Sequence, residues 1–230
     1  MTFFDDDLLL SSGAAKRVYS AVADLPIIDY HCHLNEKDIA ADKKFTDIGE
    51  LWLAGDHYKW RAMRLMGIDE EYITGGKSFK EKFFAYASIM PGLIGNPLYY
   101  WTHMELKSLF GITQPLDSDS AEEIWDKTSE MLPEMSVRSL LKKFKVEYIA
   151  TTDDPFSDLS AHGDIDGIKV RPTFRPDRCF AEGVSKSELE ERLDYFMKKG
   201  CRLADHGFDA FGDTADLEWL IRACYERGVA

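Results

Sequence analysis

Apolar positions recur along this chain in two rhythms, and the switch between them divides it. From Ser12 onward, Ala15, Val18, Tyr19 and Val22 fall at helical spacing behind a residue suited to an N-cap, so residues 12–23 read as a helix. Pro26 then opens a short apolar run, Ile27-Ile28, that leads into Asp29-Tyr30-His31-Cys32-His33 and reads as a strand. Residues 36–144 change pattern completely: helical periodicity, turns and many aromatics, with no convincing strand. Within them Ser120 and Glu123 have capping-box spacing ahead of Ile124, Trp125 and Thr128, and Val137, Leu140, Leu141 and Phe144 share a helical face. Strand-like runs return at residues 146–152, ending at Asp153-Asp154-Pro155, and at 168–174, ending at Arg175-Pro176-Asp177. Pro172 sits awkwardly in the second of these, since proline cannot donate to a ladder. Ser185 and Glu188 cap a further helix with Leu189, Leu193, Phe196 and Met197 on one face and Gly200 as its stop. Residues 201–207 read as a short strand, and Asp216 to Arg227 as a last helix with Leu217, Leu220, Ile221 and Cys224 inward.

Strands that alternate with helices or long crossovers predict an α/β parallel sheet. In a (β/α)8 barrel the chemistry sits at the C-terminal ends of the strands. His31, His33, Asp153, Arg175, Asp205 and His206 all stand at such ends. In extended chain, alternate side chains share a face, so His31 and His33 project together and Cys32 turns away into the core. Two imidazoles on one face suit one divalent metal, and equally a pair of surface or hydrogen-bonded histidines. Asp154, ahead of Pro155, reads better as a turn starter than as a catalytic group. His103 reads as a packing residue, and His162 carries no usable signal.

Composition narrows the field. The chain has 230 residues, 45% hydrophobic and 13% aromatic, enough for a real core in one large domain or one plus a small one. A net charge of −13 argues against nucleic acid or an anionic membrane as partner, and an acidic ligand would need a local Arg or Lys. Cys32, Cys179, Cys201 and Cys224 show no paired spacing, and the N-terminus has neither signal-peptide nor spanning character. A cytoplasmic protein with free thiols is the simplest expectation.

Several long words, in one order, resemble the uronate (glucuronate) isomerase family of the amidohydrolase superfamily. They are Asp29–Leu34, Leu51–Arg64, Gly95–Lys107, Thr151–Pro155, Thr173–Asp177 and Gly200–Gly207. The resemblance implies a (β/α)8 TIM-barrel type fold, here only about the first four strands, with a helical insertion after the first. The boundaries expected are 1–35 for the first strand and preceding helix, 36–144 for the insertion and 145–230 for strands two to four with their helices. Family members are roughly twice this length, so the chain is expected to be a fragment or a shortened relative. The other half of the family barrel would hold a metal-binding Asp, a neighbouring Arg and a His. The implied activity is aldose–ketose isomerisation of a hexuronate, D-glucuronate to D-fructuronate or D-galacturonate to D-tagaturonate, in glucuronate catabolism. His31 and His33 are the implied ligands of a divalent metal, zinc or similar. His57 and Tyr58 are implied to lie over the substrate, Tyr58 moving a proton or holding a hydroxyl and His57 bonding the sugar, although both also read as structural groups near Trp60. Arg175 is the implied carboxylate or hydroxyl clamp, with Arg171 weaker and an ion pair to Asp177 as the structural alternative. The implied partners are the small-molecule substrate and a homo-oligomer mate, without nucleic acid or membrane. A metal-dependent hydrolase of the same superfamily, or an inactive remnant that binds or associates only, are the competing readings.

Overall fold

The computed structural model describes residues 5, 7–176, 183–205 and 214–230. Expectations resting on Asp177, Cys179, His206 and Gly207 lie outside these. The chain divides into two compact units, one of residues 1–24 and 44–136, the other of residues 25–43 and 137–230.

The first unit is helical among its described residues. It comprises α1 (Gly13–Val22), α3 (Ile48–Leu53), α4 (His57–Leu65), α5 (Phe79–Ile89), α6 (Pro97–Phe110) and α7 (Ala121–Met131), with α2 (Glu36–Ala41) falling in the other unit. Ser12 caps α1 by accepting from the Ala15 N–H, yet no residue of that helix is buried. Asn96 with Pro97 starts α6, and Gly111 at φ 68° ends it, the left-handed turn that glycine adopts without strain. The capping box expected at Ser120 and Glu123 does not form. Ser120 instead has helical dihedrals, and its hydroxyl is spent on the Asp117 N–H and the Pro115 carbonyl. A box does form at Ser78 and Glu81, ahead of α5. The core gathers Trp52, Phe83, Tyr86, Met90, Leu106 and Ile124, with the Trp52 and Phe83 rings 6.1 Å apart.

His103 is a packing residue of this unit. Its Nδ1 lies 2.6 Å from the Tyr99 carbonyl and its Nε2 accepts from the Leu116 N–H at 2.9 Å, which fixes a neutral ring protonated on Nδ1. Burial holds this imidazole below its ordinary value of 6.5. The unfolded chain therefore takes up the proton first as pH falls, so the contribution is full above 6.5 and is lost below it. Urea midpoints at about pH 7.5 and about pH 5.5 are expected to fall further for the native chain than for His103→Gln. Equal falls would contradict the assignment.

The second unit holds the sheet. β1 (Ile27–Asp29), β2 (Val146–Ala150) and β4 (Ile168–Arg171) are parallel and adjacent in that order, and β3 (Gly163–Ile165) pairs antiparallel with β4. α2 (Glu36–Ala41), α8 (Val137–Lys143), α9 (Lys186–Lys198) and α10 (Thr214–Glu226) complete it. The β3–β4 hairpin was not expected. Its two-residue turn is Asp166-Gly167, at φ 50° and 87°, the positive pair that an Asp-Gly turn favours. The strand expected over 168–174 stops at Arg171, because Pro172 has no N–H to give. The ladder resumes at Phe174, which bridges in parallel to Asp153 on one side and Ala204 on the other. Of the strand expected over 201–207, the described part is that Ala204 bridge. The Ser185–Glu188 box forms as expected. Beneath these strand ends, Phe174, Leu189, Leu193, Phe196, Cys201, Leu220 and Cys224 pack into one apolar cluster. Among the described residues no helix is long and apolar enough to cross a membrane.

Candidate functional site

β1 ends at Asp29, so His31 and His33 stand just past the strand rather than in it. The chain nevertheless stays tied to β2. The Cys32 N–H donates to the Ala150 carbonyl at 2.9 Å, and the Thr152 hydroxyl donates to the Cys32 carbonyl at 3.2 Å. Those two bonds keep the alternation that the sequence predicts: Cys32 is buried, while His31 and His33 both face outward. Burial pushes the Cys32 thiol up to about 11, so it remains protonated near neutral pH.

The two imidazoles converge. Their Nε2 atoms are 3.1 Å apart, with ring planes at 81°. A tetrahedral zinc with Zn–N distances of about 2.0–2.1 Å sets two ligand nitrogens about 3.3 Å apart, so the donor pair fits a shared cation. An Nε2–H···N hydrogen bond would fit the same gap. On the far side of the His31 ring, Nδ1 lies 3.7 Å from Asp205 Oδ2, the side from which a carboxylate orients a metal-bound histidine. The same oxygen is 3.4 Å from Arg175 Nη1, and it is buried without a hydrogen-bond partner among the described residues. His31, His33, Arg175 and Asp205 thus gather at the C-terminal ends of the parallel strands. From the sequence Asp205 reads only as one of several strand-end polar residues, each a supporting or loop-capping group, and its place beside His31 and Arg175 comes from the fold. Arg171 goes elsewhere: it pairs with Asp164 on β3 and donates to its neighbour's carbonyl.

His57 and Tyr58 belong to the other unit, where they open α4. Asp56 caps that helix, accepting from the Tyr58 and Lys59 N–H groups at 2.9 and 3.1 Å and from Lys59 Nζ at 2.7 Å. Burial works against ionisation of Asp56, but the Lys59 ammonium and the two backbone donors hold its carboxyl below the usual range. The His57 and Tyr58 rings stack at 4.3 Å, and both are exposed. Trp60 turns inward instead, its indole N–H donating to the Leu53 carbonyl. Asp154 does start a turn, accepting from the Phe156 N–H at 2.9 Å.

Comparison with known proteins places the chain in a family. The sequence model of the glucuronate isomerase family (UxaC) matches residues 1–186. A uronate isomerase of Marinomonas sp. is 45% identical over 90% of this chain and 51% of its own length. One from Geobacillus thermodenitrificans is 46% identical over the same shares. The crystal structure of uronate isomerase from Thermotoga maritima superposes with a TM-score of 0.85 at 35% identity, covering 98% of this chain and 57% of that one. Glucuronate isomerase from Caulobacter crescentus gives 0.78 at 25% identity, over 99% and 57%. The fold is accordingly α/β, a part of an amidohydrolase-type (β/α)8 barrel, and the chain spans about half the length of the curated relatives it matches. The chain belongs to the glucuronate isomerase family.

Proposed function

We propose that the chain carries the first part of an aldose–ketose isomerase for hexuronates, interconverting D-glucuronate with D-fructuronate and D-galacturonate with D-tagaturonate. The observation that carries the reading is the convergence of His31, His33, Arg175 and Asp205 at the strand ends, in a chain whose relatives are uronate isomerases. His31 and His33 would hold a divalent metal, zinc or similar, which when bound would polarise a sugar oxygen. Arg175 would receive the substrate carboxylate through its planar pair of N–H donors. Tyr58 would hold a hydroxyl or carry the proton that leaves C2 and returns to C1 through the enediol, and His57 would hydrogen-bond the sugar. The proton moves within one substrate molecule, so no external oxidant or reductant is needed. The setting we infer is the cytoplasm and glucuronate catabolism, with the protein as a homo-oligomer and residues 36–144 as the insertion. Among the described residues, three buried free cysteines, at 32, 201 and 224, suit a reducing compartment.

A second reading is binding without turnover, which needs only the Arg175 guanidinium to meet a carboxylate. An isomerisation assay decides between them. D-glucuronate and D-galacturonate, beside a panel of esters and lactones, are offered to the chain alone and mixed with the C-terminal half of a relative. Ketose formation in either arm supports the isomerase, hydrolysis of an ester or lactone overturns it, and saturable uronate binding without turnover in both arms supports the second reading.

A further inference from the structure

The side chains of Asp153 and His162 are 4% and 1% exposed, yet neither belongs to the converging site. They form a closed polar cluster with Thr151. The Thr151 hydroxyl donates to Asp153 Oδ2 at 2.7 Å, and His162 Nε2 lies 2.8 Å from the Thr151 oxygen and 3.3 Å from Asp153 Oδ1. With Nε2–H on the histidine, its contacts to the Thr151 oxygen and the Asp153 carboxyl each pair a donor with an acceptor. His162 Nδ1 is then a buried lone pair with no partner among the described residues. Burying a carboxylate in this way is costly unless it holds something in return.

What it holds is the segment after the proline break. Pro172 ends the β4 ladder, and the next N–H, that of Thr173, donates to Asp153 Oδ2 at 3.1 Å. The Asp153 N–H donates to the Thr173 carbonyl, and the Arg175 N–H donates to the Asp153 carbonyl, both at 3.2 Å. Asp153 thus grips residues 173–175 by carboxylate and backbone together, and the guanidinium at the end of that segment reaches Asp205. We propose that Asp153, held by Thr151 and His162, is the positioning residue for Arg175, setting where its guanidinium meets the substrate carboxylate. The consequence for substrate rests on the proposed uronate function, but the placement of Arg175 does not.

The test uses Asp153→Asn in the full chain, with guanidinium Nε–H signals read by NMR and Arg175 assigned through Arg175→Lys. Hydrogen exchange at Arg175 is expected to quicken about tenfold while the other arginines hold their values. An unchanged Arg175 signal, or an equal rise at every arginine, overturns the proposal, since general loosening would affect them all. Should Asp153→Asn fail to fold, His162→Gln cuts the same cluster more gently and is judged by the same two outcomes. D-glucuronate affinity, measured on these variants, is expected to fall about tenfold, the loss of one charge-assisted hydrogen bond. If Arg175→Lys leaves that affinity unchanged, the function reading fails while the positioning result stands on its own.

Discussion

Replacing Phe174 with alanine is expected to lower the unfolding free energy by about 3–5 kcal/mol, the range for emptying a buried aromatic site. The ring is fully buried and meets the edge of Phe196 at 5.2 Å between centroids. Its neighbours Leu189, Leu193, Cys201 and Leu220 come from α9, α10 and the segment between them, so the cavity would open where those elements meet the sheet. The backbone of Phe174 is also the rung that joins Asp153 to Ala204. Loosening it frees the segment next to Arg175, so the site should soften along with the core. Urea unfolding followed by circular dichroism gives the magnitude. A loss under about 1 kcal/mol would mean that the cluster is not packed as described. Phe174→Leu keeps most of the volume and should cost about 1–1.5 kcal/mol, which serves if the alanine variant does not fold.

The part of this fold that local rules govern is legible in the sequence. Helical spacing with a capping residue marked α1 and α9, and alternation put His31 and His33 on one face with Cys32 inward. Errors arose where a local rule met a competitor. Ser120 and Glu123 have the spacing of a box, but a tighter turn at Pro115–Asp117 takes the hydroxyl first. Apolar alternation runs through Pro172, whereas a missing N–H stops the strand. Asp166-Gly167 has the composition of a hairpin turn, but β3 ahead of it is only three residues long, too short for an alternating run to mark it. The Asp153–His162 cluster had no signal of that kind. It depends on a loop folding back over nine positions, and no periodicity records that. Asp205 is a similar case, since only the sheet order brings it beside His31.

Alanine at either His31 or His33 is expected to weaken Zn2+ binding by about 100-fold or more, and alanine at both to add little further. The reasoning follows from ligand number. In the proposed site two converging Nε2 atoms would chelate one ion, whereas a single exposed imidazole would bind no better than any surface histidine. Either substitution alone should therefore remove most of the affinity, which makes the pair non-additive. Asp205→Asn should cost less, about 10–100-fold, because it acts through the orientation of the His31 ring. Cys32→Ser supplies the control: the thiol lies between the two histidines in sequence but is buried on the opposite face, and burial keeps it protonated. Isothermal titration with Zn2+ reads all five variants. Single-histidine variants that bind as well as the native chain would reduce the pair to a mutual hydrogen bond and remove the metal from the proposed site. Loss of binding in Cys32→Ser, with His31 and His33 intact, would shift the ligand set to the thiol and overturn the alternation on which the site is built.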